Sequence, residues 1–330
     1  MRFPQRVAVI GVGHWHSTYD AAYLEVLRAL GVNVVGISDD DAGILQDRSA
    51  RFKVDPFDDY RVMLERTRPD FVVALGRHVD MPAIFRHLVA IGIPFVMEKP
   101  WGVDDATVRE LAELAEQENA WVCVPYMHRY THWAEVTRAM VQSGELGAVS
   151  HVVFRVIRPT MARYEAWDSP WMLKRELAGG GALLNLGSHG FDICRFITGE
   201  EPVVVSATLS NTVHKSEVED YAHVTLRTPS GILFHNEVGY TMPTWPKNLT
   251  DGERKLAAEN AIVRGVDAGV HILGRDRDET LKTPANYVGG YKRVLVECLE
   301  CLASGRPPPI GAADCARAVT LIHDAYRIAR

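Results

Sequence analysis

The chain has 330 residues, 47% hydrophobic and 24% charged, and its 36 Lys+Arg against 42 Asp+Glu give a net charge of −6. That length suits about two domains of ~150 residues with a full core, and mild acidity without a basic block argues against a nucleic-acid partner. No apolar run approaches the ~20 residues that span a bilayer. MRFPQRVAVIGVG runs straight into a strand pattern without signal-peptide features, and the five scattered cysteines suggest no disulfide framework. A cytoplasmic two-domain protein is expected.

Arg6–Ile10 (RVAVI) is a short β-branched run ending in Gly11-Val12-Gly13. Apolar positions at Tyr19, Tyr23, Leu24, Leu27 and Leu30 predict a helix stopped by Gly31, and Val32–Ile37 predicts the second strand. Asp39-Asp40-Asp41 opens another helix. Phe71–Leu75, a helix from about Pro82 to Ala90, Ile93–Met97, a helix near Asp105–Glu118 and a strand at Trp121–Val124 complete the series. Near-continuous apolar strands separated by helices predict a doubly wound parallel sheet, buried on both faces, over residues 1–125.

From residue 126 to 330 the pattern changes. A helix near Thr131–Gln142 and the turn Gly144-Glu145-Leu146-Gly147 precede a long strand, Val149–Ile157. Val203–Leu209, Ala222–Thr228 and Ile232–Tyr240 mix apolar and polar positions, as in an antiparallel sheet with one wet face. Helices are expected at Ala182–Phe196, Tyr291–Ala303 and Ala312–Ile328, and the acidic run Asp276–Glu279 as a solvated turn. The second half is thus an α+β domain.

Gly11-Val12-Gly13-His14-Trp15-His16 follows a strand and is expected to open a helix. Two glycines permit a tight turn and let the backbone approach a pyrophosphate, whose charge helix N–H groups would meet. The third glycine of such fingerprints is His16 here. Asp39, just past the second strand, is placed to accept hydrogen bonds from both ribose hydroxyls of an adenosine, and a carboxylate there repels a 2′-phosphate. The cofactor expected is therefore NAD rather than NADP. One of Asp39, Asp40 and Asp41 also has to cap the following helix.

Two further segments carry chemistry. Glu98-Lys99-Pro100 ends a strand at the carboxyl edge, where doubly wound sheets bind ligands. The run from Gly179 to Asp192 begins a helix on which Asn185, His189 and Asp192, spaced i, i+4, i+7, share one face. Gly187 and Gly190 cost that helix about 1 kcal/mol each relative to alanine, so something must approach its backbone closely. Tyr126, His128 and Arg129 begin the second domain and are candidate substrate contacts. Trp167 and Trp171 are placed to stack on a substrate or to anchor the loop before the glycine run. Cys298 and Cys301 are half of a zinc motif on an amphipathic helix and read as core. His14, His16, His214, His223 and His235 show no ligand spacing, and no metal is expected.

Taken together, the Gly11/Gly13 turn, Glu98-Lys99-Pro100, Arg129-Tyr130, Gly144–Gly147 and the Gly179–Asp192 segment make the chain resemble the glucose–fructose oxidoreductase / inositol dehydrogenase / rhizopine-catabolism (Gfo/Idh/MocA) family over nearly its whole length. The resemblance implies an N-terminal Rossmann domain, a C-terminal domain whose large open sheet often mediates homodimers or homotetramers, and NAD(P)-dependent oxidation or reduction of sugars, polyols and related carbonyl compounds. By position Lys99 falls on the family's catalytic lysine and His189 on its catalytic histidine, while Glu98, Lys99 and Pro100 join Gly11, Gly13, His14, Trp15, His16 and Asp39 around the cofactor. Asn185 stands where many members have an aspartate, Gly76-Arg77 where Pro-Asn is usual, and Asp80-Met81 where a histidine is common.

In the mechanism this suggests, His189 takes the proton of a secondary alcohol as hydride leaves for nicotinamide, and Lys99 stabilises the alkoxide. Asn185 would orient the hydroxyl, and Asp192 would orient the histidine or support its helix. Two alternatives stand beside it: transient oxidation serving epimerisation or elimination without net NADH release, and a non-catalytic nucleotide sensor.

Overall fold

The short apolar runs of the first half pair in parallel. In the computed structural model, which describes residues 4–329, they are β1 (Arg6–Ile10), β2 (Asn33–Ser38), β3 (Pro56–Phe57), β4 (Phe71–Ala74), β5 (Phe95–Met97) and β6 (Val122–Cys123). Their order is β3-β2-β1-β4-β5-β6, the doubly wound arrangement whose strand order reverses beside β1. Every residue of β4 and β5 is buried, so neither strand alternates. Aspartates start the crossover helices: Asp41, Asp59 and Asp104 each accept a backbone N–H from the first turn that follows. The N-cap role among the three consecutive aspartates thus falls to Asp41.

The first helix departs from expectation. After Gly13 comes a short 3₁₀ turn, Trp15–Ser17, and the α-helix is confined to the seven residues Tyr23–Ala29. Asp20 and Ala22, both with positive φ, interrupt the helical path. His14 caps the 3₁₀ turn by accepting the His16 N–H at Nδ1, and the His16 side chain turns inward to Glu98. A side chain where a third glycine would bring helix onto strand leaves the glycine turn without a helix opening on it. The helix Tyr60–Thr67, unforeseen in the sequence, lies between β3 and β4.

Two compact units each draw on more than one stretch of the chain. The first compact unit runs to Pro125 and includes Tyr164–Gly179 and Val294–Arg317; the second comprises Tyr126–Arg163, Gly180–Arg293 and the chain from Ala318 on. Within the first unit, Val79 N–H donates to the Leu177 carbonyl (3.1 Å) and Val124 N–H to that of Ile310 (3.1 Å). Cys298 and Cys301 are buried in its core.

The second unit is built on eight strands. They are β7 (Val149–Pro159), β8 (Val203–Ser210), β9 (Tyr221–Arg227), β10 (Leu233–Met242), β11 (Asp251–Ala258), β12 (Ala261–Val266), β13 (Gly269–Gly274) and β14 (Asp278–Lys282), in the order β14-β13-β12-β11-β7-β10-β9-β8. All pairings are antiparallel except β7 with β10. The four strands from β11 on escape the sequence pattern because runs such as DGERKLAA are charged as often as apolar. The acidic run Asp276–Glu279 accordingly ends inside β14 rather than in a turn. On one face, Val152, Phe154, Val224, Phe234, Val238 and Leu256 form the core. No helix among the described residues is long and apolar enough to cross a membrane.

Candidate active site

The first unit holds a cavity of about 770 Å³ at the carboxyl edge of its sheet, lined by Gly11, Gly13, His14, Asp39, Arg77 and Trp171 among others. Gly11 has φ +74°, and a Cβ there would lie 2.6 Å from the Leu75 carbonyl oxygen; one at Gly13 would lie 3.0 Å from the Asp39 carboxylate. Backbone is therefore exposed to the cavity because side chains have no room, the surface a dinucleotide needs. Asp39 accepts the Gly13 N–H (2.6 Å) and the Asp41 N–H (3.0 Å). Burial raises its pKa from the usual carboxylate range to about 6, with those two N–H groups pulling the other way. Arg77 holds Asp40 at 3.1 Å and also bonds Asp80. It is a cavity residue that sequence reasoning noted only as a departure from the family pattern.

Glu98-Lys99-Pro100 follows β5, with a cis peptide between Lys99 and Pro100. Glu98 points inward, accepting from the Tyr23 hydroxyl (2.8 Å) and lying 2.9 Å from His16 Nδ1, so it anchors the strand end to the glycine turn. Lys99 is only 2% exposed. Burial lowers its pKa from 10.5 to about 8, with Glu98 opposing that fall. Burial also drives His14 well below the ordinary histidine value and His78 to about 3, with Lys99 adding repulsion in both cases, so both rings are neutral at physiological pH.

The tryptophan-bearing segment belongs to this unit. Trp171 packs against His14, Trp15 and His78 and lines the cavity. Trp167 stacks on Tyr19, with ring centroids 5.3 Å apart and planes 13° apart. Ser169 donates to the Gly13 carbonyl at 3.0 Å. The loop is tied to the glycine turn, which neither its composition nor its position in the chain could reveal.

In the second unit the His189 helix starts irregularly: Leu183–Gly187 is a π-turn and Ser188–Thr198 continues as α-helix. Glu219 receives the N–H groups of Gly181 (2.9 Å) and Leu183 (3.0 Å) and the Tyr326 hydroxyl (2.8 Å), satisfying donors at the helix start. Burial raises its pKa despite these bonds. The group that requires Gly190 is Asn236 of β10, whereas a Cβ at Gly187 would meet Leu183 Cδ1 at 2.8 Å. The Asn236 amide donates to the Gly187 carbonyl at 3.0 Å, and a Cβ on Gly190 would lie 2.7 Å from its Nδ2. The strand pattern could have flagged Asn236, a lone amide on the inward row between Phe234 and Val238.

The extra residue of the π-turn alters the phase of the helix, so Asn185 and His189 do not simply stack one turn apart. The Asn185 amide donates to the Tyr240 hydroxyl at 2.9 Å. His189 meets Tyr126 and His128 edge-on, at centroid distances of 5.8 and 5.0 Å. Asp192, fully buried, takes both prongs of the Arg129 guanidinium, Nε at 2.8 Å. Arg129 is thereby placed on the helix that carries His189.

Two family models match the chain. One, described as an oxidoreductase family with an NAD-binding Rossmann fold, covers residues 5–126; the other, a GFO/IDH/MocA C-terminal domain, covers residues 135–254. The chain is 29% identical over 143 residues to the rhizopine catabolism protein MocA of Rhizobium meliloti, spanning 43% of this chain and 41% of that one. It is 26% identical over 202 residues to the D-glucoside 3-dehydrogenase of Escherichia coli, spanning 59% and 54%. The chain thus spans about half the length of these curated relatives. The WlbA dehydrogenase of Bordetella pertussis, solved with NADH and UDP-GlcNAcA, superposes with a TM-score of 0.82 at 21% identity over 99% of this chain and 97% of that one. That likeness establishes the fold.

Proposed function

The chain belongs to the GFO/IDH/MocA oxidoreductase family and carries its NAD-binding Rossmann domain, and on that premise we propose that it transfers hydride between NAD and a secondary alcohol or ketone of a sugar, polyol or related small molecule. The observation that carries this reading is Lys99, an ammonium buried at the carboxyl edge of the sheet with its pKa lowered toward neutrality. The glycine turn, Asp39, His14 and the Trp171 loop hold the cofactor, which supplies a hydride acceptor. Asp39 accepts the ribose hydroxyls and excludes a 2′-phosphate.

His189 takes the proton of the reacting hydroxyl, a task suited to an imidazole near neutral pH. Lys99 stabilises negative charge on the same oxygen in the oxidative direction and supplies a proton in the reductive one. Asn185 holds its hydroxyl partner by hydrogen bonding alone, since an amide carries no transferable proton at neutral pH. Asp192, through Arg129, keeps the histidine's helix in place. Tyr126 and Arg129 border this helix on the substrate side. The sugar or polyol class is supported by the glucoside dehydrogenase among the relatives. Pairing of two copies through the open face of the eight-stranded sheet is part of the same reading.

The test mixes the purified protein with NAD and a panel of sugars and polyols and follows NADH absorbance. Net NADH that disappears in both Lys99→Ala and His189→Ala supports the reading. Substrate conversion without net NADH assigns the protein to transient-redox epimerisation or elimination. NAD binding with no conversion of any panel member overturns the enzymatic reading.

A further inference from the structure

The inner face of the eight-stranded sheet carries a cation for which the reaction just described has no use. Arg254 on β11 stands in register opposite Phe154 on β7, so its side chain lies on the face where Phe154 and Leu256 are fully buried. It is itself half-buried, its guanidinium 5.8 Å from the centre of the Phe154 ring. Its hydrogen bond within the chain runs from a terminal nitrogen to Nδ1 of His128, at a long 3.4 Å, and its buried Nε–H meets no acceptor. Among the described residues no carboxylate comes within ion-pair distance of it. Burial lowers its pKa, and no neighbouring anion opposes the fall.

Arginine is almost never fully buried unless paired, and withdrawing even part of its charge from water is costly without a compensating anion. Arg254 meets that cost with one long bond to the His128 ring. The ring that receives it, His128, lies edge-on to His189 with centroids 5.0 Å apart. An unneutralised guanidinium thus stands one side chain away from the imidazole assigned to the reacting hydroxyl. Such a fork matches the paired oxygens of a carboxylate or phosphate and gains little from a neutral hydroxyl.

We propose that Arg254 receives an anionic substituent of the substrate, so that the substrate is a sugar acid or sugar phosphate rather than a neutral polyol. This rests on the reading of His189 as the group at the reacting hydroxyl.

The experiment is calorimetric titration of the NAD-loaded protein with matched sets, each a neutral hexose, its 6-phosphate and its uronate, on wild type, Arg254→Gln and Arg254→Lys. At least one anion is expected to bind about 10–100-fold tighter than its neutral parent, the range of a charge-assisted fork. Arg254→Gln should abolish that advantage, and Arg254→Lys should restore part of it, with NAD affinity and urea midpoint serving as fold controls. A uronate advantage identifies a carboxylate substituent, and a phosphate advantage a phosphoryl one. Neutral parents binding as tightly as the anions, an advantage that survives in Arg254→Gln, or no binding by any member overturns the proposal. Arg254-dependent anion binding without NADH formation leaves this site standing and refutes the hydride-transfer reading; turnover of neutral polyols alone does the reverse.

Discussion

Gly190→Ala is the sharpest test of the argument that Asn236 dictates the glycine at position 190 of the His189 helix. In an unhindered helix the substitution would stabilise by about 1 kcal/mol. Here the added Cβ would lie 2.5 Å from Asn236 Cγ and 2.7 Å from its Nδ2, against 3.4 Å or more in ordinary contacts. Asn236 is fully buried, so it has little room to retreat. Overpacking costs roughly 1–3 kcal/mol. If the amide swings away it abandons the Gly187 carbonyl, at roughly 1–3 kcal/mol for buried polar groups left unpaired. Setting the helical gain against both terms leaves a net loss of about 1–5 kcal/mol. Urea unfolding of the wild type and variant reads it directly. Asn236→Ala removes the obstacle, so the double variant should lose less than the two single losses combined, by about 1.5–3 kcal/mol. A Gly190→Ala protein as stable as wild type, or strict additivity in the cycle, would refute the reasoning.

Further expectations follow from single sites. Because burial brings Lys99 to about 8, its ammonium is present below that pH and lost above it. Oxidation that relies on it should therefore fall about tenfold per pH unit well above pH 8, and a pH–rate profile flat to pH 10 would remove Lys99 from the chemistry. The same lowered pKa means that folding gains stability from this residue as pH rises between about 8 and 10.5. The urea midpoint of Lys99→Met should thus exceed that of wild type most clearly below pH 8, by at most about 3 kcal/mol, and no narrowing of the gap toward pH 10.5 would contradict the assignment. Asp39→Ser is expected to raise NADP affinity relative to NAD about 10-fold or more, since it removes a carboxylate that repels a 2′-phosphate; fluorescence titration with both cofactors checks it. Because Asp39 titrates at about 6, wild-type NAD affinity should decline as pH falls through that value, while the Asp39→Ser protein stays level. Arg129→Ala leaves the buried Asp192 carboxylate without its guanidinium and should cost about 3–5 kcal/mol, with the Arg129→Ala/Asp192→Asn pair recovering part of it in chemical denaturation.

Local pattern determined a good deal. Apolar runs of β-branched residues separated by capped helices can only bury themselves as a parallel sheet, and the positive φ at Gly11 follows from a tight turn at the end of β1. Lys99 and His189 stand out as candidates because each lies in a contiguous motif. Where residues meet through distant pairing, sequence was silent. The glycine turn lost its helix because the His16 side chain turns to Glu98, 82 positions on in the chain, and Trp171 reached the cavity because its loop is tied back to Gly13. Asn236 and Arg254 sit on strands whose faces are set by register, a tertiary property that no local spacing encodes. Composition and periodicity select the elements, because burial is local and periodic. Which polar groups meet inside the fold is decided only when the strands pair.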